Sequence, residues 1–139
     1  MERLVYLFDV DGTLTRPMKS MEVSFAMSFI HWMQGKQVFI VAGSDKKKIN
    51  SQLPASLSSR AEGVFCSSAN ELWIKDKLIY KNDWTPSTDF LEFLTELYRD
   101  SHFTPKGKNF TEKRTGMVNF SIVGREAPHE LRDIYFKWD

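Results

Sequence analysis

The chain has 139 residues, with 19 basic against 18 acidic side chains and a formal net charge of +1, which is the size of one ordinary domain or two small ones. Apolar residues make up 42% of it and charged residues 27%, which is typical of a soluble globular protein and excludes a disordered or fibrous one. The near-zero net charge provides no overall field toward nucleic acid or an anionic membrane, so any anion selectivity must be local.

Cysteine content and the length of the apolar runs indicate the compartment. The single cysteine, Cys66, cannot form an internal disulfide, which fits a reducing environment. The longest apolar runs, such as residues 38–42, fall far short of a membrane span. Five apolar residues followed at once by Asp9 do not resemble a secretory signal. We therefore expect a cytoplasmic protein that engages neither nucleic acid nor a membrane.

The first part of the chain alternates strand-like and helix-like segments. Residues 4–8 are short and wholly apolar, typical of a strand buried on both faces of a parallel sheet. A helix is predicted over 20–34, with an apolar side formed by Val23, Met27, Ile30 and Met33. Further strands over 37–42 and 63–66, with an amphipathic stretch between them, complete a β-α-β-α rhythm. This rhythm predicts an α/β fold whose working loops lie at the carboxyl ends of parallel strands.

The later segments follow a different pattern. They comprise a small hairpin over 72–80, a helix capped by Thr85 and running to Asp100, strands over 109–113 and 117–121, and a last helix opened by Pro128. Helix, hairpin, helix is an α+β arrangement. We therefore predict two domains, residues 1–81 and residues 82–139.

Two acidic side chains follow the first predicted strand. Asp9 and Asp11 are two residues apart, so in extended geometry both carboxylates can face one spot above the sheet. Close carboxylates repel unless a cation lies between them, and Asp9, the backbone carbonyl of Val10 or Asp11 and a phosphate oxygen would suit Mg2+. Asp9 would then be free to attack phosphorus, while Asp11 donates and later accepts a proton.

Small and hydroxylated residues accompany this pair. Gly12 permits close backbone approach and Thr13 adds a hydroxyl, while Gly43 and Ser44 follow the second strand at a predicted helix start. Free N–H groups and the helix dipole favour a phosphate there. The basic run Lys46 to Lys48 is interpreted as a solvated helix face.

The segment Phe8-Asp9-Val10-Asp11-Gly12-Thr13-Leu14-Thr15 resembles the first signature of the haloacid-dehalogenase (HAD) superfamily of phosphotransferases, and Gly43-Ser44-Asp45 resembles its second. Residues 114–125 are similar to a cap-domain segment of eukaryotic-type phosphomannomutases within that superfamily, and Arg132 follows at that family's spacing. The resemblance implies a HAD-like Rossmannoid core over 1–81 and an α+β cap over 82–139, both incomplete in this chain. The superfamily also uses a later lysine and later acidic residues, after the cap returns to the core, and this chain stops at Asp139, inside the cap. A truncated product, an ordered fragment and a site completed by a partner chain are all open alternatives.

The resemblance further implies an enzyme that interconverts mannose 6-phosphate and mannose 1-phosphate through an aspartyl phosphate. Its requirements would be Mg2+ and a hexose 1,6-bisphosphate activator, and its partner a phosphorylated hexose. Asp9 would be the nucleophile and Asp11 the acid/base and second metal-site carboxylate. Guanidinium groups match phosphate oxygens bidentately, and the resemblance implies a distal-phosphate clamp of Arg114, Arg125 and Arg132. Asn119 lies within the same predicted hairpin, either as a ligand to sugar hydroxyls or as a structural hydrogen-bonding residue.

Several alternatives stay open at this level. A sugar-phosphate phosphatase of the same superfamily would use the same carboxylates, with water ending the cycle. A truncated, non-catalytic relative would keep the anion sites as a phosphosugar-binding module. At Met18, where the family carries an arginine, Arg16 or Lys19 is available in its place. A homodimer formed through the cap is a further open alternative.

Overall fold

In the computed structural model, which describes residues 4–139, the backbone divides into two units, the first ending at Asn82 and the second comprising Asp83–Asp139. Among the described residues no helix combines the length and apolar character needed to cross a bilayer. The longest, in the second unit, has 13 residues.

The first unit is built on a five-stranded sheet with strand order β1-β2-β3-β4-β5. The first three strands are parallel and the last two are antiparallel to their neighbours. Its elements are β1 Val5–Phe8, α1 Val23–Trp32, β2 Gln37–Val41, α2 Lys46–Gln52, α3 Ala55–Arg60, β3 Gly63–Cys66, β4 Glu71–Ile74 and β5 Lys77–Lys81. The predicted α/β class and the β4–β5 hairpin are confirmed, whereas α3 was not predicted.

The core of this unit joins the sheet to its helices. Ile40 on β2, Ile49 on α2 and Leu57 on α3 are all fully buried in one apolar cluster. Each such side chain contributes about 1.5–3 kcal/mol relative to an exposed one. Packing through Ile49 fixes α2 against the sheet, and α2 supplies two of the side chains described below.

Strand β1 is an edge strand, and its burial differs from the prediction. Val5 is 51% exposed and Leu7 63% exposed, while Tyr6 and Phe8 pack against the core. The prediction that this strand is buried on both faces is therefore wrong for the described residues. An apolar run is compatible with burial on both faces of a strand, but it does not show that another element packs on each face.

Helix α1 buries only part of the predicted face. Met33 is buried and Ile30 packs against the core, as predicted. Val23 and Met27 are 73% and 70% exposed, and Ala26 and Phe29 are buried in their place. The helix is apolar nearly all round, so spacing alone cannot choose the face that meets the sheet.

The second unit contains α4 Thr88–Asp100, β6 Thr111–Arg114, β7 Met117–Phe120 and α5 His129–Trp138. The predicted strand pair is present as an antiparallel hairpin. The cap of α4 is Ser87, whose side chain accepts from the Phe90 N–H, and not Thr85. The small core of the second unit is formed by Phe103, Ile122 and Val123.

Candidate active site

The loop after β1 is wound around one carbonyl. The Val10 oxygen accepts from the backbone N–H groups of Thr13, Leu14 and Thr15 at 3.2, 3.0 and 3.0 Å and from the Thr15 hydroxyl at 3.2 Å. Gly12 has a φ of +85°, a conformation in which glycine avoids the strain of a Cβ. The tight turn fixes the residues on either side of Val10.

Those neighbours are Asp9 and Asp11, which differ in their surroundings. Asp9 is exposed, and its Oδ1 accepts from the Val10 N–H at 2.8 Å. Asp11 is held at both oxygens: Oδ1 accepts from the Met18 N–H at 3.0 Å and the Gln52 Nε2 at 2.7 Å, and Oδ2 from the Lys48 Nζ at 2.8 Å. One carboxylate is therefore open to a ligand while the other is fixed in place.

The contacts of Asp11 favour its charged form. The hydrogen bond from Lys48 is the strongest influence and lowers the pKa of Asp11 to about 2, with Gln52 and the Met18 N–H acting in the same direction against partial desolvation. Asp11 is consequently ionised at neutral pH in the unliganded protein.

Lys48 and Gln52 are site residues that sequence reasoning missed. The interpretation of residues 46–48 as a solvated face is wrong for Lys48, which pairs with Asp11, and for Lys46, which pairs with Asp76 at 2.8 Å. Lys47 is exposed, as predicted. The available signal was spacing, because positions 48 and 52 are four apart on a helix that begins beside the first loop.

The loops after β2 and β3 lie against one another. The Ser44 carbonyl accepts from the Ser67 N–H at 2.8 Å, and a Cβ on Gly43 would lie 3.7 Å from the Ser68 Oγ. The first turn of α2 is capped by the Asp45 carboxylate, which accepts from the Lys48 N–H at 2.8 Å. One donor at the predicted phosphate-binding helix start is thus already used within the protein.

The oxygen atoms near Asp9 could supply only some of the ligands of a Mg2+ ion. The described residues contain no group of three or more His, Cys, Asp or Glu side chains that could hold a metal. The Val10 carbonyl is saturated by the loop, so of the two carbonyls considered that of Asp11 is the better candidate. Asp9 with the Asp11 carbonyl suits an ion that keeps several waters and takes a phosphate oxygen.

A cleft of about 710 Å³ opens beside this loop. Gly12 and Thr13 line it together with Arg16 and Lys19, the two cationic residues available in place of an arginine at position 18. Met18 itself is 73% exposed and contributes its backbone N–H to Asp11. The cleft therefore has cationic side chains near the first signature.

In the second unit, two predicted clamp residues share one anion. The Glu112 Oε2 lies 3.1 Å from the Arg114 Nη2 and 3.0 Å from the Arg125 Nε. It also accepts from the Asn119 Nδ2 at 3.2 Å. Partial desolvation raises the pKa of Glu112, but Asn119 and the two guanidinium groups outweigh it and hold that pKa below its ordinary value.

Arg132 does not share this contact. Its Nε donates to the Ala127 carbonyl at 2.9 Å, and its Nη2 donates to the Arg125 carbonyl. The structure thus brings Arg114, Arg125 and Asn119 together on Glu112 and places Arg132 behind them, against the backbone that carries Arg125.

Comparison with known proteins gives a consistent family. A phosphomannomutase from Dendrobium officinale is 32% identical over 145 residues, covering 100% of this chain and 58% of that protein. One from Triticum aestivum is 33% identical over 140 residues, covering 96% and 56%. The chain thus spans little more than half the length of these relatives. The resemblance to the phosphomannomutases is confirmed, although no family model matches the chain.

Solved structures agree on the fold. A trehalose-6-phosphate phosphatase related protein has a TM-score of 0.51 at 18% identity, covering 96% of this chain and 59% of the other. The Plasmodium falciparum IMP-nucleotidase mutant with bound IMP has a TM-score of 0.56 at 12% identity, covering 95% and 43%. These likenesses show the fold alone and, with the sheet described above, support the predicted α/β class.

Proposed function

We propose that this chain, a relative of the phosphomannomutases, carries the nucleophile and a sugar-phosphate clamp of an enzyme that interconverts mannose 6-phosphate and mannose 1-phosphate. The observation that carries the proposal is the arrangement at the end of β1, where an exposed Asp9 stands two residues from a fixed, ionised Asp11. Residues 1–81 would act as the core domain and 82–139 as the cap.

The proposed chemistry is double displacement on Asp9. A carboxylate oxygen of Asp9 forms a bond to phosphorus as the bond from phosphorus to the sugar oxygen breaks. The departing sugar oxygen takes a proton from Asp11. In the return step a sugar hydroxyl attacks the aspartyl phosphate and gives its proton to Asp11. Asp11 must therefore carry a proton in the first step and be ionised in the return step.

A hexose 1,6-bisphosphate would supply that phosphoryl group at the start. Mg2+, held by Asp9 and the Asp11 carbonyl, would neutralise phosphoryl charge when bound. The backbone around Gly12, Thr13, Gly43 and Ser44 would line the phosphate position.

Arg114 and Arg125 would grip the phosphate that is not being transferred. A guanidinium nitrogen of each already contacts one carboxylate oxygen. A phosphate oxygen would accept the same charge-assisted hydrogen bonds. Asn119 holds Glu112 beside these arginines, and Arg132 would serve the site by supporting the Arg125 backbone.

A sugar-phosphate phosphatase is a second candidate, and one observation favours it. Asp9 is exposed among the described residues, so water has access to a phosphoryl group attached there. Water attack would release inorganic phosphate in place of the isomer.

Product analysis tests both candidates. The chain would be incubated with mannose 1-phosphate, Mg2+ and glucose 1,6-bisphosphate, and mannose 6-phosphate and inorganic phosphate measured. We expect isomerisation that is lost in Asp9→Asn and retained in Asp83→Asn, an exposed control. Phosphate release without isomer would select the phosphatase. Binding without turnover would leave only the binding module, and unchanged activity in Asp9→Asn would remove Asp9 from its role.

A further inference from the structure

We infer that Lys48 and Gln52 are positioning residues that hold the Asp11 carboxylate for its proton transfers. The inference rests on the proposed function and extends it to helix α2, which the first-signature loop does not include. Neither side chain needs to touch the substrate, because both act through Asp11.

Each oxygen of Asp11 has its own donor from one helix. Positions 48 and 52 are one turn apart and so lie on the same face of α2. The Lys48 Nζ contacts Oδ2 at 2.8 Å and the Gln52 Nε2 contacts Oδ1 at 2.7 Å. Two donors on two oxygens fix the rotation of the carboxylate as well as its position, which is what an efficient acid/base group needs.

Gln52 is itself held by the loop that it supports. Its side-chain Nε2 also lies 3.4 Å from the Thr15 Oγ1 and 3.3 Å from the Lys19 carbonyl oxygen. Its backbone carbonyl accepts from the Met21 N–H at 2.7 Å. The groups around Nε2 can all accept a hydrogen bond, which fixes the orientation of the amide.

The cost of burying Gln52 argues for a purpose other than stability. The residue is only 4% exposed, and among the described residues its Oε1 has no hydrogen-bonding partner. A buried unsatisfied carbonyl is destabilising, and an apolar side chain of similar shape would avoid that cost. The amide N–H groups that reach Asp11 account for the polar residue.

Leaving-group dependence separates positioning from a general structural effect. Nitrophenolate leaves phosphorus without a proton, whereas the C6 oxygen of mannose 6-phosphate needs one from Asp11. Removing either donor also raises the pKa of Asp11, so each variant is compared at the optimum of its own pH profile. In single-turnover experiments with Mg2+ at that optimum, we expect Lys48→Met and Gln52→Leu to slow transfer from mannose 6-phosphate about tenfold or more, but transfer from p-nitrophenyl phosphate less than about threefold.

Matched variants complete the design. Asp11→Asn should show the same split, Lys48→Arg should recover most of the loss, and Lys47→Met, at the exposed neighbouring position, should behave as the parent chain. If Asp11→Asn shows the split while Lys48→Met and Gln52→Leu slow both substrates equally, or neither, the positioning role is overturned and the proposed function stands.

A second measurement does not require turnover. The Met18 N–H donates to the same Asp11 oxygen as Gln52, so its hydrogen exchange, followed by NMR, reports how firmly Asp11 is held. We expect about tenfold faster exchange at Met18 in Gln52→Leu and Lys48→Met, with the Ala42 amide, which donates to Phe65 at 2.9 Å, unchanged. Unchanged exchange at Met18 would overturn the inference. If the parent chain transfers no phosphoryl group, the proposed function fails and this exchange alone decides the positioning of Asp11.

Discussion

The Nε of Arg125 lies 3.0 Å from the Oε2 of Glu112, so an internal carboxylate already occupies the position at which two arginines converge. Arg114 reaches the same oxygen from β6, two residues along the strand and therefore on the same face of the hairpin. A phosphate that binds these arginines must compete with Glu112 or share them with it.

Glu112→Gln should therefore strengthen anion binding. Removing the competing charge frees both guanidinium groups, and we expect the Kd for inorganic phosphate to fall about fivefold, equivalent to about 1 kcal/mol. Isothermal titration calorimetry of the chain measures this directly. Glu126→Gln is the matched control, since Glu126 is exposed and accepts only from Asn109 among the contacts described. Weaker binding in Glu112→Gln would show that Glu112 instead orders the arginines for the ligand.

Arg125→Ala should act mainly on substrate affinity. Loss of one forked donor from the proposed clamp should raise the KM for mannose 1-phosphate about tenfold or more, with a smaller change in kcat. Steady-state kinetics with Arg99→Ala as the exposed control tests this. A fall in kcat at unchanged KM would place Arg125 outside substrate binding.

The contribution of Glu112 to stability should depend on pH. Its folded-state pKa is lowered, so its contribution is fully present above the ordinary value of 4.5 and is lost as the pH falls through the lowered value. The difference in free energy of unfolding between the parent chain and Glu112→Gln should shrink over that acid range. Urea denaturation at a series of pH values would measure it, and a constant difference would contradict the ion-pair geometry.

Cys66 should be chemically inert in the folded chain. Burial is the main cause that raises the pKa of its thiol to about 12, with Glu71 adding to the effect. Because the thiolate is the reactive form, reaction with a disulfide reagent at pH 8 should be about a thousandfold slower than in the unfolded chain. Absorbance of the released thiol measures both rates. Comparable rates would mean that β3 is accessible in the folded state.

Ile40→Ala should destabilise the first unit severely. Ile40 is fully buried on the central part of the sheet, and deleting such a side chain costs about 2–5 kcal/mol. Chemical denaturation checks the value, with Val23→Ala as a control because Val23 is 73% exposed. A loss below that range would mean that the cavity collapses more completely than a packed core allows.

Local sequence patterns predicted much of the fold because the residues of short segments determine where strands and turns form. The parallel order of β1 to β3 and the two hairpins follow from such patterns. The exposed face of β1 and the buried face of α1 depend on which element covers them, and an apolar sequence does not specify that choice.

The candidate site also contains residues that the sequence predicts and residues that it does not. Asp9 and Asp11 could be recognised because two carboxylates two residues apart after a strand are typical of a phosphoryl-transfer site. Lys48 could not be assigned from its charge, since a lysine run on a short helix is usually solvated. Its contact with Asp11 spans 37 residues of sequence and exists only because α2 packs at the end of β1.

The most direct measurement of the central proposal is chemical trapping of the phosphorylated residue. The chain would be mixed with glucose 1,6-bisphosphate and Mg2+, quenched, and reduced with borohydride, which converts an aspartyl phosphate to homoserine. Peptide mass spectrometry should find homoserine at position 9 in the parent chain and in Asp83→Asn. Homoserine at another aspartate, or complete absence of the modification while isomerisation proceeds, would contradict the role assigned to Asp9.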